Sequence, residues 1–412
     1  MSKPQRPGHC ELPYFPVVGN QLQAGGLPIT HLAQQLGNTP FYAYDRAIIE
    51  QRIRLLRTLL PDAIRLHYAV KANPMSDLLQ HMVQQVDGLD IASQGELTLA
   101  LQTGINPQHI SFTGPGKGTD ELQAAIDAGV ILNIESATEM RRIAKLAENS
   151  GVRPRITLRV NPDFELKSSG MRMGGGATPF GIDTEQVPAL LKELVTLDME
   201  FLGFHIFAGS QNLRATAIIE AQNATLALAV RLAEYAPSPV RLLNMGGGFG
   251  IPYFPGEQPL DVKPIGENLA RLVEQAKTAL PDAEFALELG RYLVGEAGIY
   301  VCRVLDKKMS RGQVFLVTDG GLHQHLAASG NFGQVIRKNY PVVIGNKMGV
   351  KKTEEVTIVG RLCTPLDLLA SKVELAVAEV GDLVVILQSG AYGLTASPTA
   401  FLSHPAPVEI LL

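Results

Sequence analysis

The chain is short of the features that mark secreted, membrane-spanning or nucleic-acid-binding proteins. Cysteine occurs three times in 412 residues, at Cys10, Cys302 and Cys363. An odd number spread so widely argues against a disulfide framework and fits a reducing compartment. No apolar run reaches the length of a membrane span, and the opening MSKPQRPGHCELPYFP holds no apolar core of signal-peptide length. A cytoplasmic protein is the expectation. Charged residues make up 18% of the chain, the formal net charge is −4, and no long basic run is present. Neither nucleic acid nor an anionic membrane is therefore an implied partner, and a small or locally docked substrate is. Solenoid repeats and low-complexity tracts are missing as well.

What is present is a long alternation. The length exceeds one hydrophobic core, so two domains, or a barrel with an appendage, are expected. Short apolar runs such as RLHYAV, GLDIAS, HISFTG, RITLRVNP, FLGFHIF, RLLNMGGG and EFALELG are separated by stretches with apolar residues at helical spacing, among them TDELQAAIDAG and TEMRRIAKLAENSG. About eight such units closing on themselves make a (β/α)8 barrel. After Gly290 the runs GIYVCRVLDKKM, GQVFLVTDG, EEVTIVGRLC, VELAVAEV and DLVVILQSG follow with few helical spacers, which reads as a mainly antiparallel β domain. The expected division is an N-terminal segment 1–36 joining the β domain, a barrel over 37–288, and a C-terminal β domain over 289–412. The loop ELKSSGMRMGGGATPFG (165–181) is either a mobile segment at the active-site end of the barrel or a surface insertion.

Functional groups of a barrel enzyme lie at the C-terminal ends of its strands. The residues found there are Lys71 in HYAVKANP, Asp90 and Glu96 in DIASQGE, Arg159, the segment HIFAGSQ, the turn GGGFG, and Glu288 and Arg291 in ELGR. Lys71 is either a surface lysine or an amine in a dry pocket, where desolvation makes it a nucleophile toward a carbonyl. Gly246, Gly247 and Gly248 let backbone N–H groups converge on a phosphate, although a flexible turn explains them equally well. GGGFG lacks the continuation of a dinucleotide fingerprint. TGPGKGTDE has its lysine before Gly118 where a phosphate loop requires Ser or Thr. HQH (323–325) offers two histidines on one face without a third clear ligand, so no metal is expected. The set suits an anionic cofactor carrying an aldehyde.

The motifs HYAVKANP, DIASQGEL, GSQ, NMGGGFG, ELGR, LCTPLD and SGAYG, in this order, resemble the pyridoxal-phosphate decarboxylases of the alanine-racemase-like barrel fold, the ornithine/diaminopimelate/arginine decarboxylase family, over nearly the whole chain. The resemblance implies pyridoxal 5'-phosphate as cofactor, with Lys71 forming the imine and Glu288 keeping the pyridine nitrogen protonated so that the ring accepts electrons when carbon dioxide leaves. Racemases on this barrel place an arginine there. It further implies phosphate ligation by Arg291, Ser210, Gly246, Gly247, Gly248 and Tyr392, and supporting positions at Asp90, Glu96 and Arg159. Cys363, with Asp367 four residues on, matches a cysteine that reaches across a dimer interface to help protonate Cα, so a homodimer with shared sites is implied.

Departures from the family pattern bear on substrate. Phe207 replaces the histidine that normally stacks on the cofactor face, with His205 just before it; stacking is kept and a ring nitrogen lost. Thr364 follows Cys363 where relatives acting on free diamino acids carry an acid for the distal ammonium, and an unpaired buried ammonium is costly. A neutral or conjugated far end is expected. With the glycine-rich loop, GGLHQHL and GNFGQVIRKNYP, this resembles the branch acting on carrier-protein-tethered or siderophore-type amino acids, including exosortase-linked decarboxylases. Arg337 and Tyr340 are the candidate substrate grips. Leu289 stands where relatives often have proline. The alternatives are a diaminopimelate decarboxylase and an inactive, decarboxylase-like binding protein.

Overall fold

A computed structural model describes residues 8–11, 13–165 and 170–412. The chain divides into two compact units: Arg52–Gly250 with Leu260–Gly290, and Met1–Gln51 with Ile251–Pro259 and Arg291–Leu412.

The first unit is a closed barrel. Its strands are β1 (Ile64–Ala69), β2 (Gly88–Ile91), β3 (Ile110–Phe112), β4 (Ile131–Ile134), β5 (Arg155–Asn161), β6 (Glu200–Ile206), β7 (Leu242–Gly247) and β8 (Glu284–Leu289). Each pairs in parallel with the next, and β8 returns to β1 with Glu288 opposite His67. Helices follow the first seven strands, from Ser76–Met82 to Lys263–Ala279. Local sequence starts and stops them. Ser93 and Ser136 accept the N–H groups of Glu96 and Glu139, satisfying first-turn donors. Gly129 and Gly151 end two helices in the left-handed conformation that glycine adopts without steric cost.

Period-2 alternation sorts the strand side chains between two environments. Leu66, Tyr68, Leu89, Ile91, Phe112, Leu132 and Leu158 are buried in the apolar core together with helix residues such as Leu79, Leu97 and Ile126. The alternate positions, facing the lumen, are polar: His67, Asp90, Ser111, Asn133, Thr157, His205 and Asn244 are all buried. They bond to one another. Ser111 donates to Asp90, Thr157 donates to Asn133, and Asn133 donates to Thr113 and, at 3.4 Å, to Ser111.

In the second unit an eight-stranded, mostly antiparallel sheet has the long strand Gly298–Ser310 at its centre. The strand Phe41–Tyr44, expected within a barrel over 37–288, belongs here: it pairs with 298–301 on one edge and with Val408–Leu411 on the other. All four of its residues are buried, which needs a partner on each side, while the barrel closes on eight strands without it.

HQH lies in this unit's core. His325 Nδ1 accepts the Ala328 N–H at 3.2 Å, so the proton sits on Nε2, 2.9 Å from Ser389 Oγ. Burial pushes the His325 pKa down to about 3. A histidine held neutral in the fold stabilises above its unfolded pKa, and that contribution is lost as pH falls from about 6.5 toward about 3. Between pH 6 and pH 4 the wild type should lose about 1.4 kcal/mol per pH unit more than His325→Gln in urea unfolding; parallel curves would contradict this.

Candidate active site

Lys71 does not extend β1. The strand ends at Ala69, and a single tight turn, Val70–Ala72, carries the lysine at the C-terminal mouth. Gly290 at the end of β8 permits that turn, since a Cβ there would stand 2.8 Å from Ala72 Cβ. Lys71 Nζ is 3.9 Å from Glu288 Oε1 and its side chain is 42% exposed. The amine thus stands beside a buried carboxylate while open to an incoming carbonyl.

Glu288, 5% exposed, is the centre of the mouth. Its Oε2 takes a hydrogen bond of 2.8 Å from His205 Nε2, with Asn244 Nδ2 at 3.5 Å. Burial alone would raise its pKa; the bond and charge of His205, with Lys71 and Arg159, more than reverse this and hold the carboxyl below the usual carboxylate range. The result is an ionised, acceptor-only group in a dry setting, suited to keeping a proton on a ring nitrogen.

The turn after β7 forms a cradle that side chains could not share. A Cβ at Gly246 would lie 2.7 Å from Phe207 Cδ2, at Gly247 2.1 Å from the Glu288 carbonyl oxygen, and at Gly248 2.2 Å from the Gly209 oxygen; Gly246 and Gly248 also have positive φ, 66° and 78°. Asn212 N–H donates to the Gly248 oxygen, and Asn244 Oδ1 takes the Gly246 N–H. Ser210 is half-buried next to this turn, in a short strand with Gly209 that pairs with Met171–Arg172. Backbone is thereby brought where a phosphate can approach it, and the residues fit pyridoxal phosphate.

The supporting residues occupy distinct places. Glu96 closes its own loop by accepting the Ala92 N–H at 2.7 Å, and burial raises its pKa. Asp90 sits in the lumen with Ser111 and His67. Arg159 is fixed by Glu135 at 2.7 Å, with its guanidinium 5.0 Å from the Phe180 ring. Glu135 also accepts the N–H groups of Gly114 and Gly181, and Asn161 accepts that of Gly175. One end of the glycine-rich loop is thus tied to the barrel; its residues 166–169 lie outside the described ones.

In the second unit, Arg291 is sandwiched between Tyr253 and Tyr392, 5.3 and 4.6 Å from their ring centres, and donates to the Tyr253 hydroxyl at 2.9 Å. Tyr392 has a positive φ of 53°, unusual for a non-glycine residue. Cys363 is exposed and Thr364 is half-buried.

Three expected substrate-contacting residues also have partners inside their own unit. Arg337 donates to the carbonyls of Ser329 and Leu368, and burial lowers its pKa to about 10. Tyr340 is buried against Tyr253, ring centres 4.6 Å apart. Asp367 accepts the N–H groups of Leu322 and Leu362 at 2.7 and 2.8 Å, where Gly321 and Gly360 leave room for it. Each satisfies buried polar atoms or apolar packing that a sequence does not display.

A lysine beside an ionised, buried carboxylate, above a glycine cradle at the C-terminal mouth of a barrel, defines the class of barrel enzymes that work through pyridoxal phosphate. Comparison with known proteins agrees. A model of the pyridoxal-dependent decarboxylase family, pyridoxal binding domain, matches residues 46–295. The chain is 40% identical, over 93% of its length and 90% of the relative's, to the L-glutamyl-[BtrI acyl-carrier protein] decarboxylase of Niallia circulans. It is 31% identical, over 96% and 97%, to the 2-[(L-alanin-3-ylcarbamoyl)methyl]-2-hydroxybutanedioate decarboxylase of Staphylococcus aureus. Among solved structures, diaminopimelate decarboxylase of Helicobacter pylori complexed with L-lysine superposes with a TM-score of 0.82 at 26% identity, covering 93% of this chain and 94% of that one.

The chain belongs to the pyridoxal-dependent decarboxylase family. It is a pyridoxal-phosphate-dependent carboxy-lyase.

His205, Asn244 and Glu135 were not among the expected site residues. Period-2 counting along the strands would have found them, because His205 and Asn244 lie on the lumen face of β6 and β7 and Glu135 continues the lumen alternation just past β4. Replacing His205 by phenylalanine leaves Glu288 without its nearest donor and should cost about 3 kcal/mol at neutral pH. A carboxyl with a lowered folded pKa gives up its contribution as pH falls below its unfolded value, so this gap should narrow below about pH 4.5. Guanidinium unfolding at pH 7 and pH 4 measures both, and a pH-independent gap would argue against an ionised Glu288.

Proposed function

We propose that the chain decarboxylates a conjugated amino acid, with one tethered to an acyl-carrier protein as the foremost case. The observation that carries this is Thr364: the position after Cys363 offers no charge for a distal ammonium, and Arg337, Tyr340 and Asp367 are committed to their own unit. The relative at 40% identity is named for a carrier-protein-bound glutamyl substrate, and the one at 31% for a conjugated alanine, which supports the same reading.

In this reading Lys71 is the residue that would hold the cofactor through its aldehyde carbon, the carbonyl oxygen leaving as water. Glu288, held by His205 and Asn244, keeps a proton on the ring nitrogen. Ser210, the glycine turn Gly246, Gly247 and Gly248, Arg291 and Tyr392 hold the phosphate, and Phe207 covers a ring face. Asp90, Glu96 and Arg159 keep the surrounding charges in place. Pyridoxal phosphate, when bound, supplies the sink for the electron pair left as carbon dioxide departs. Cys363 delivers a proton to Cα from the partner of a homodimer.

Carbon dioxide release by the cofactor-loaded protein should occur with carrier-bound or acylated amino acids and be at least about 100-fold lower, in kcat/KM, with free lysine, ornithine, arginine and diaminopimelate. Comparable turnover of meso-diaminopimelate would establish the alternative, a diaminopimelate decarboxylase. Loss of all turnover with no cofactor absorption band above that of free pyridoxal phosphate would favour a binding protein. Mixing inactive Lys71→Ala and Cys363→Ala proteins should restore activity through mixed dimers with one intact site; no recovery after subunit exchange would argue against a shared site.

A further inference from the structure

Below the mouth, the barrel is not filled with the branched apolar side chains that usually pack such a core. Its middle is the hydrogen-bonded polar layer of Asp90, Ser111, Asn133 and Thr157, and its N-terminal end opens into a cavity of about 720 Å³ at the starts of the strands. His67 belongs to both. It lines the cavity, is 8% exposed, and places Nδ1 3.5 Å from Asp90 Oδ1. Gly88, its register partner on β2, makes room for the ring, since a Cβ there would stand 2.7 Å from Nε2. On the other flank its register partner is Glu288.

We propose that His67 is a proton inlet, a positioning residue through which the Glu288 centre exchanges protons with water in the cavity at the N-terminal end of the barrel. This rests on the assignment of Glu288 to the cofactor's ring nitrogen. Glu288 is buried even before a cofactor covers it, so an exchange path from beneath is the one that stays open during turnover. Among the described residues, His67 Nδ1, Asp90 Oδ2 and His205 Nδ1 are buried polar atoms of this lumen without a hydrogen-bond partner. Atoms of that kind are satisfied in folded proteins by internal water, which also conducts protons. Imidazole suits the relay because it accepts a proton at one nitrogen and releases another from the second. A proton taken from cavity water leaves at Nδ1 toward Asp90 and Glu288, and the ring returns to neutral; transfer in the other direction restores the starting tautomer.

The charges around the ring favour this. Asp87 and Asp90 on the β2 side and Glu288 on β8 act on it, and Glu284 lines the same cavity. Of the arginines at the cavity, Arg65 is paired with Glu284, and Arg155 and Arg241 with Glu200. Burial lowers the His67 pKa, and Asp90, Glu288 and Asp87 more than reverse it, leaving it above the ordinary histidine value. His109 also lines the cavity.

The test uses pyridoxal-phosphate-loaded wild type, His67→Ala, His67→Gln and Glu288→Gln, and follows cofactor absorbance after a temperature jump in a buffer whose pH falls on heating. Both His67 variants should relax at least about tenfold more slowly than wild type. Millimolar imidazole, entering the space left by the truncation, should restore His67→Ala and leave His67→Gln slow. Relaxation of either variant at the wild-type rate overturns the inlet, as does slow relaxation of His67→Ala that imidazole does not restore. If His67→Ala does not fold, His67→Gln decides. Glu288→Gln separates the two claims: an unchanged equilibrium spectrum overturns the Glu288 assignment, whereas a changed spectrum beside fast His67 variants leaves that assignment standing and removes the inlet alone.

Discussion

An ionised carboxylate inside a protein must be surrounded by donors, or it takes up a proton or unfolds the structure around it. Glu288 meets that demand from two neighbouring strands and a turn: His205 on β6, Asn244 on β7, and Lys71 just past β1. None of the three is close to it in sequence. The closed barrel brings them together, and the register that sets Glu288 opposite His67 allows no slip, because moving β8 by one residue would turn the carboxylate out among the helices. The Lys71 amine, the cradle and the acid are therefore held by one constraint.

The polar lumen follows from the same demand. A barrel packed with branched side chains would surround Glu288 with groups that cannot donate, and its cost would rise. Here Asp90, Ser111, Asn133, Thr157 and Arg159 form a polar interior in which side chains bond to neighbours across the strands, while Asp90 Oδ2 keeps no protein partner. Such networks hold only when nearly complete, so the site's electrostatics extend well below the mouth where the chemistry takes place. The second unit handles its own buried groups in a similar way. Asp367, Arg337 and His325 each secure backbone or hydroxyl partners inside it.

Those three residues also show where sequence reading stops. Arg337 reads as a substrate contact through the likeness of its segment GNFGQVIRKNYP to the conjugate-acting branch, and Asp367 through its place four residues after Cys363; the fold shows the carbonyls and N–H groups that they bond. Phe41–Tyr44 illustrates the same limit for architecture. FYAY reads as a strand, as it is, but which sheet receives it depends on partners more than two hundred residues away.

The residues alone determined the alternation that closes as a barrel, the β-rich texture that follows it, the lysine, the glycine turn and the acid near an arginine, because periodicity and strand-end chemistry are local properties. Family, cofactor and reaction class were legible from the order of those motifs. Only the tertiary structure decided that His205 and Asn244 hold Glu288, that Glu135 fixes Arg159, that the lumen is polar down to His67, and that Arg337, Tyr340 and Asp367 serve the fold. Those are contacts between distant strands and loops, and their energies come from burial and partner geometry that no stretch of sequence contains by itself.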